Sequence, residues 1–314
     1  MLVTGGAGFI GSHLCGKLLS ENRRVICLDS FNDFYDPAIK RENITALTSD
    51  DRFSVHEGDI RDPDFVETVF RSGKPEAVVH LAAMAGVRPS IEQPLLYNDI
   101  NLTGTGIILE AARRHTVVNF IFGSSSSVYG AQEKVPFSEE DRISQPISPY
   151  AATKAAGEML CYTYHHLFGI PMTCLRFFTV YGPRQRPEMA IHLFARKIRD
   201  GEPITVFGDG KSRRDYTYID DILDGILKSL AIPHDFEIFN LGESRTVSLR
   251  ELISLLEKSL GKKAVIKNQP EQPGDVPITY ADISHARNTL DYDPNIPVEQ
   301  GIDLFVQWLV KGTR

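Results

Sequence analysis

Cysteine is scarce. Cys15, Cys27, Cys161 and Cys174 are the four in 314 residues, with no C-x-x-C pair and no histidine cluster at zinc spacing. A disulfide framework and a metal site are therefore not expected, and reduced, buried thiols are. Basic excess is also missing: 34 Lys and Arg face 41 Asp and Glu, a net charge of −7. Nucleic acid is not an expected partner, and an anionic ligand would need arginines or helix N-termini concentrated locally. No run approaches the roughly 18 apolar residues of a membrane span. The start, MLVTGGAGF, has no charged region followed by an apolar one, so a cleaved leader is not expected either. A reducing cytoplasm fits these absences. Internal repeats, low-complexity tracts and long charge runs are lacking too.

What is present is ordinary for a globular protein, 42% hydrophobic and 24% charged, on a chain long enough for one large or two medium units. Short β-branched runs (1-MLVTG, 24-RVICLD, 52-RFSVHEGD, 76-EAVVHLAA, 117-VVNFIFGS) alternate with helical patterns at 11–22, 62–73 and 97–115. Such alternation implies parallel βαβ units in a doubly wound, Rossmann-type α/β fold. Continuous apolar strands such as AVVHLAA agree, because both faces of that sheet are covered. A long helix over 148–169 and a strand over 171–182 follow.

The pattern changes after residue 180. A Pro/Arg-rich loop (182-GPRQRPEM) leads to a helix at 190–201, a strand at 204-ITVFGDG and a basic turn at 211-KSRRDY. A helix over 216–230 and a strand over 235–242 are expected to rejoin the first sheet. Helical patterns at 248–261 and 299–312 complete the tail. The expected division is a dinucleotide-binding domain over 1–176, rejoined by about 216–241, and a smaller mixed α/β lobe over 177–215 and 242–314.

GGAGFIG places Gly5, Gly8 and Gly11 in G-x-x-G-x-x-G between the first strand and first helix. The turn, the close approach of a pyrophosphate and the helix–sheet packing each need a missing Cβ, and the helix N-terminus faces the phosphates. Asp29 ends the second strand and would accept a ribose 2′-hydroxyl; its charge repels a 2′-phosphate, so NAD is expected over NADP. Asp59 is placed either to reach the adenine or to cap the helix after it.

Tyr150 and Lys154 stand four apart on a helix and share a face. An ammonium beside a phenol stabilises the phenolate and makes a usable base. With the upstream glycines, His80-Leu81-Ala82-Ala83 and Ser125 in 121-IFGSSSSVYG, the set resembles the extended branch of the short-chain dehydrogenase/reductase superfamily, which acts on nucleotide sugars. The resemblance covers nearly the whole chain. It makes Tyr150 the base, Lys154 the holder of the nicotinamide ribose, and Ser125 a hydrogen-bonding partner of the reacting hydroxyl. It also lines the cofactor with Gly5, Gly8, Phe9, Ile10, Gly11, Asp29, Asn32, Asp59, Ile60, Leu81, Ala82, Ala83, Asn101, Ser124 and Phe177. The dehydratases of that branch resemble T-D-E-V-Y-G at the strand end, and the decarboxylases carry Glu before V-Y-G. Here Ser126 and Ser127 stand there, so elimination lacks its acid and reversible hydride transfer remains.

The second lobe narrows the substrate. The segments 176-RFFTVYGPRQRPEMA, 86-GVRPSIEQP, 213-RRDYTYIDD and 272-QPGDVPITYADIS resemble those of UDP-glucuronate 4-epimerases. The resemblance assigns Arg214 to the UDP diphosphate, Asp275 to the uridine ribose, and the 204–210 strand, with Val206 and Phe207, to the uracil. UDP-glucose 4-epimerases have Asn in place of Thr179 and a phosphate arginine in place of Gln272. A C6 carboxylate must be paired if buried; Arg186 offers a bidentate fork beside the Thr179 hydroxyl, with Arg88 a second candidate. Ser127 and Met189 complete the expected substrate contacts. The alternatives are UDP-glucose or UDP-N-acetylglucosamine as substrate or, in another class, a non-catalytic NAD-binding scaffold. A homodimer paired through the helices at 97–115 and 148–168 is implied by the resemblance.

Overall fold

The computed structural model describes residues 1–270 and 276–312. Gln272 and Asp275 lie outside the described residues. Twelve strands are named in chain order: β1 (Leu2–Thr4), β2 (Val25–Asp29), β3 (Phe53–Glu57), β4 (Ala77–His80), β5 (Asn119–Ser125), β6 (Met172–Phe177), β7 (Thr179–Tyr181), β8 (Pro203–Phe207), β9 (Arg213–Tyr218), β10 (Phe236–Leu241), β11 (Thr246–Ser248) and β12 (Val265–Gln269). Seven of them form one sheet in the order β10-β6-β5-β4-β1-β2-β3. The pairs from β3 to β6 are parallel, with Leu2 opposite Ile26 on one side and Val78 on the other. Val78, Phe120, Ile121 and Met172 are fully buried, as a sheet covered on both faces requires. Strand order reverses between β1 and β4, and ligands of such sheets bind beyond the strand ends at that point.

The helices that matter here have local causes. Helix α1 (Phe9–Ser20) starts at Gly8, directly after the glycine turn. Helices α2 (Pro37–Thr45) and α3 (Pro63–Gly73) are each capped by an aspartate before a proline, Asp36 and Asp62. Helices α4 (Val87–Glu92) and α5 (Pro94–Asn98) run into a π-helical turn, Asp99–Gly104, and then α6 (Thr105–Arg114). Helix α7 (Pro149–Phe168) is capped by Ser148, whose hydroxyl accepts from the Ala151 N–H, and stops at Gly169 in the left-handed region.

The chain divides into two compact units. The first holds Met1–Ala131, Glu139–Phe177 and Leu223–Phe239; the second holds Gln132–Ser138, Phe178–Ile222 and Asn240–Arg314. The second unit contains a three-stranded sheet, β11-β9-β7, and a parallel pair, β12-β8. All four cysteines are buried and free.

Three expectations need correction. The run 171–182 is two strands: β6, in the large sheet, stops at Phe177, and β7 pairs with β9 in the second unit. An unbroken apolar run carries no mark of such a change of sheet. The basic stretch at 211–216 is largely strand β9, because its charges find partners: Arg213 donates to Thr246, and Asp215 accepts from backbone amides. The helix expected from residue 216 consequently begins at Ile219.

Candidate active site

The glycine turn is built by close approach. Gly5 has φ +67°, and a Cβ on it would sit 2.9 Å from the Ala82 nitrogen. A Cβ on Gly11 would sit 2.2 Å from the Gly5 carbonyl oxygen, so α1 can lie this close to the turn only with glycine there. The first turn of α1 has no side-chain cap and no acid, which leaves its N–H groups and positive dipole end facing the turn. At the end of β2 the buried Asp29 carboxylate accepts from the Ala7 N–H (3.1 Å) and the Phe31 N–H (2.9 Å), with lone pairs remaining for a diol. Two residues absent from the sequence reading hold this region. The buried Asn43 donates to the Ala7 carbonyl at 3.1 Å, and the buried Lys40 donates to the Asn32 side-chain oxygen at 2.7 Å. Their partners lie 36 and 8 residues away in the chain, so spacing gave no sign of the first.

At the end of β5, Ser125 is half-buried and caps the short 3-10 turn Ser126–Tyr129; its Oγ accepts from the Ser127 N–H (3.2 Å) and the Ser127 hydroxyl (3.0 Å). Tyr150 lies in the first turn of α7, where the helix dipole is positive, and its ring meets Tyr97 edge-on at 6.3 Å. Lys154 follows one turn later, buried. Its ammonium donates to the Gly123 carbonyl at 2.6 Å and lies 5.0 Å from the Phe122 ring centre. Burial lowers its pKa to about 8, partly opposed by Cys161, Glu158 and Cys174.

Other expected cofactor residues have varied settings. Leu81, Ala82 and Ala83 are half-buried just past β4, and the Ala82 N–H donates to Thr4. Phe9, Ile10 and Phe177 sit at the start of α1 and the end of β6. Asn101 lies in the π-helical turn, and its amide makes three hydrogen bonds: it accepts from the Met84 N–H and donates to the Met84 carbonyl and to Thr153. Asp59 is not the cap of α3, a role taken by Asp62. Its carboxylate is gripped by Arg61, which also binds Asp99, and this pairing holds its pKa down. The Ile60 side chain is buried against Gly104 in the core, so only its backbone could meet a ligand. The Ser124 hydroxyl is turned to Glu158 at 2.5 Å, which likewise leaves its backbone as the available part.

Glu158 and Arg176 are the main residues the sequence reading passed over. Their bidentate pair, at 2.9 and 2.8 Å, is almost wholly buried, and Arg176 also donates to the Tyr129 hydroxyl at 2.9 Å. A signal existed: Glu158 continues the i, i+4 series of Tyr150 and Lys154, and Arg176 interrupts an apolar strand. His80, buried between the Thr4 and Thr105 hydroxyls, is held neutral by burial with a pKa of about 3.

In the second unit, Thr179 opens β7 opposite Tyr216. Arg186 is bound through Nε to Glu188 at 2.9 Å, which orients its guanidinium. Arg184 has φ +63°, and burial lowers its pKa. Between them the buried Gln185 ties the loop down: its side chain donates to the Val180 carbonyl and its own carbonyl accepts from His192. Met189 precedes helix α8 (Ala190–Asp200). Val206 is buried and Phe207 half-buried on β8, and Arg214 lies on β9. In the first unit, Arg88 is exposed on α4.

Comparison with known proteins agrees with this architecture. A family model described as GDP-mannose 4,6 dehydratase matches residues 2–305. A UDP-glucuronate 4-epimerase of Thermodesulfobacterium geofontis is 42% identical, over 98% of this chain and 95% of its own. The crystal structure of a UDP-glucuronic acid 4-epimerase from Bacillus cereus, in complex with UDP-glucuronic acid and NAD, superposes with a TM-score of 0.93 at 39% identity, covering 99% of this chain and 98% of the other. That of a UDP-glucose 4-epimerase from Thermotoga maritima, with UDP-glucose, gives 0.91 at 34% identity, covering 100% and 99%. The fold, the glycine turn and these full-length matches place the chain in the family described as GDP-mannose 4,6 dehydratase, within the extended short-chain dehydrogenase/reductase superfamily.

Proposed function

We propose that the protein inverts C4 of UDP-glucuronate reversibly, giving UDP-galacturonate through a 4-keto intermediate with NAD bound throughout. The observation that carries this reading is the strand end beside Lys154. It bears serines and no carboxylate over Ser124–Ser127, and the acid that touches it, Glu158, is locked to Arg176. That strand end can hydrogen-bond a reacting hydroxyl, but it offers no carboxylic acid of its own with which to expel water or protonate an enolate. The Cβ-free turn at Gly5 and Gly11 and the open lone pairs of Asp29 fit a dinucleotide.

Bound NAD supplies the two-electron acceptor and donor for C4. The protein supplies the rest. The Tyr150 phenolate accepts the O4 proton as C4 is oxidised, and returns it when C4 is reduced on the opposite face. Lys154 stabilises that phenolate, and Ser125 hydrogen-bonds the reacting hydroxyl. Arg214 holds the diphosphate, about which the keto sugar turns over. A 4-keto glucuronate is a β-keto acid and loses carbon dioxide when its C5–C6 bond aligns with the carbonyl. Thr179 and Arg186 hold the carboxylate away from that alignment, with the Nε bond to Glu188 fixing the guanidinium plane.

We also read the protein as a cytoplasmic homodimer. Supporting this, Leu95 is 81% exposed, and Met159, Tyr162 and Leu167 stand out from α7. Four unpaired thiols suit a reducing compartment, and no helix among the described residues is long and apolar enough to cross a membrane.

The experiment is to incubate the protein with UDP-glucuronate, or with UDP-glucose, without added NAD, and follow the products by NMR. UDP-galacturonate from the first and little turnover of the second is the expected result. A UDP-pentose product, or preference for UDP-glucose, overturns the reading. In the same assay Arg186→Ala should weaken UDP-glucuronate far more than UDP-glucose.

A further inference from the structure

Buried ion pairs are poor stabilisers, because desolvating both ions offsets most of their attraction, and apolar replacements often fold as well or better. The Glu158–Arg176 pair is about as buried as a pair can be, with 3% and 2% of the two side chains exposed. Its further contacts are specific. Glu158 Oε1 accepts the Ser124 hydroxyl, while Arg176 Nη1 donates to the Tyr129 hydroxyl at 2.9 Å, and the guanidinium carbon lies 4.9 Å from the Tyr129 ring centre. Residues 124 and 129 flank Ser125 and the 3-10 turn it caps. Ser124 points at Glu158 on α7, while the Ser125 hydroxyl accepts from Ser127 within the turn. Lys154 grips the preceding carbonyl, that of Gly123.

We propose that the Glu158–Arg176 ion pair is a positioning clamp that sets Ser125 for the reacting hydroxyl by gripping the residues on both sides of it. The inference rests on Ser125 touching that hydroxyl. Ser124 and Tyr129 are the two jaws; Glu158 and Arg176 are rigid because each occupies the other in a fork. With either jaw gone, the turn Ser126–Tyr129 is held at one end and the Ser125 hydroxyl loses its fixed direction. An error in placing a reacting group lowers the rate of the chemical step while leaving binding largely alone.

The test uses the full-length protein with bound cofactor. Ser124→Ala and Tyr129→Phe each remove one jaw without leaving a buried charge. Each should lower kcat about 5- to 50-fold with KM for UDP-glucuronate within about twofold and bound NAD unchanged. Glu158→Gln strands the buried Arg176 charge and also lowers thermal stability, so the two jaw variants decide the matter. Each is then combined with Ser125→Ala. Partners acting through one another are non-additive, so Ser124→Ala and Tyr129→Phe should cost nothing further in a Ser125→Ala background. Unchanged kcat in the jaw variants, or penalties that multiply in the double variants, overturns the clamp. A Ser125→Ala protein with the wild-type rate removes the role of Ser125 itself, and the clamp falls with it; a slow Ser125→Ala with multiplying penalties sinks the clamp alone.

Discussion

Lys154 is under opposing demands. It must be charged to favour a phenolate at Tyr150, yet it is buried against Phe122 and its charge is disfavoured there. Facing it are Glu158, Cys161 and Cys174, whose fields raise its pKa, and the Gly123 carbonyl that accepts from it; burial outweighs them and brings the pKa to about 8. His80 adds no charge, since its own burial keeps it neutral. A lysine with a lowered pKa loses its proton as the pH rises through that value, so the support for the phenolate disappears on the alkaline side. The kcat for UDP-glucuronate should fall above about pH 8, and a stopped-time NMR or coupled assay across the alkaline range measures it. A rate that stays level there would mean that the ammonium is not what activates Tyr150.

Strand β9 shows how an element can hide in a sequence. Arg213, Arg214 and Asp215 read as part of a basic turn, yet Asp215 is fully buried. Its Oδ1 accepts from the Glu243 N–H and the Thr217 hydroxyl, and its Oδ2 from the Ser244 and Ala281 N–H groups. Burial still raises its pKa, to about 6. Asp215→Asn removes the charge but puts an NH2 group where two of those donors point, whichever way the amide turns. At least one backbone donor is stranded, at a cost of about 1–3 kcal/mol. The thermal midpoint should therefore drop, and a rise would show that relief of the buried charge dominates. The glycine turn and the Tyr150–Lys154 pair were legible in the sequence because their meaning lies in short spacings along the chain, and Asp29 because its offset from the glycine turn is a fixed one. Asn43, Glu158, Arg176 and Asp215 were not, because each takes its meaning from partners on other elements, 18 to 66 residues away. The break at Phe178 was hidden for the same reason: β7 is defined by its pairing with β9.

At the scale of the whole molecule, several of the apolar residues left outside lie on α4, α5 and α7. On the first unit Leu95, Ile91, Met159, Tyr162 and Leu167 lie between 49% and 81% exposed. Three of the five are on α7, the helix that carries Tyr150 and Lys154 in its first turns. Water contact at such a face costs free energy of roughly 25 cal/mol for each Å² of apolar surface, which a second copy of the chain laid against it would recover. A symmetric pair would also stiffen α7 and with it the base. The expected state in light scattering is therefore a particle of twice the 35.1 kDa chain mass. Met159→Arg combined with Leu95→Arg should convert it to monomer, since a charge placed in a desolvated apolar face has no partner. A wild-type protein that stays monomeric at assay concentration, or a dimer indifferent to both arginines, would rule this face out as the interface.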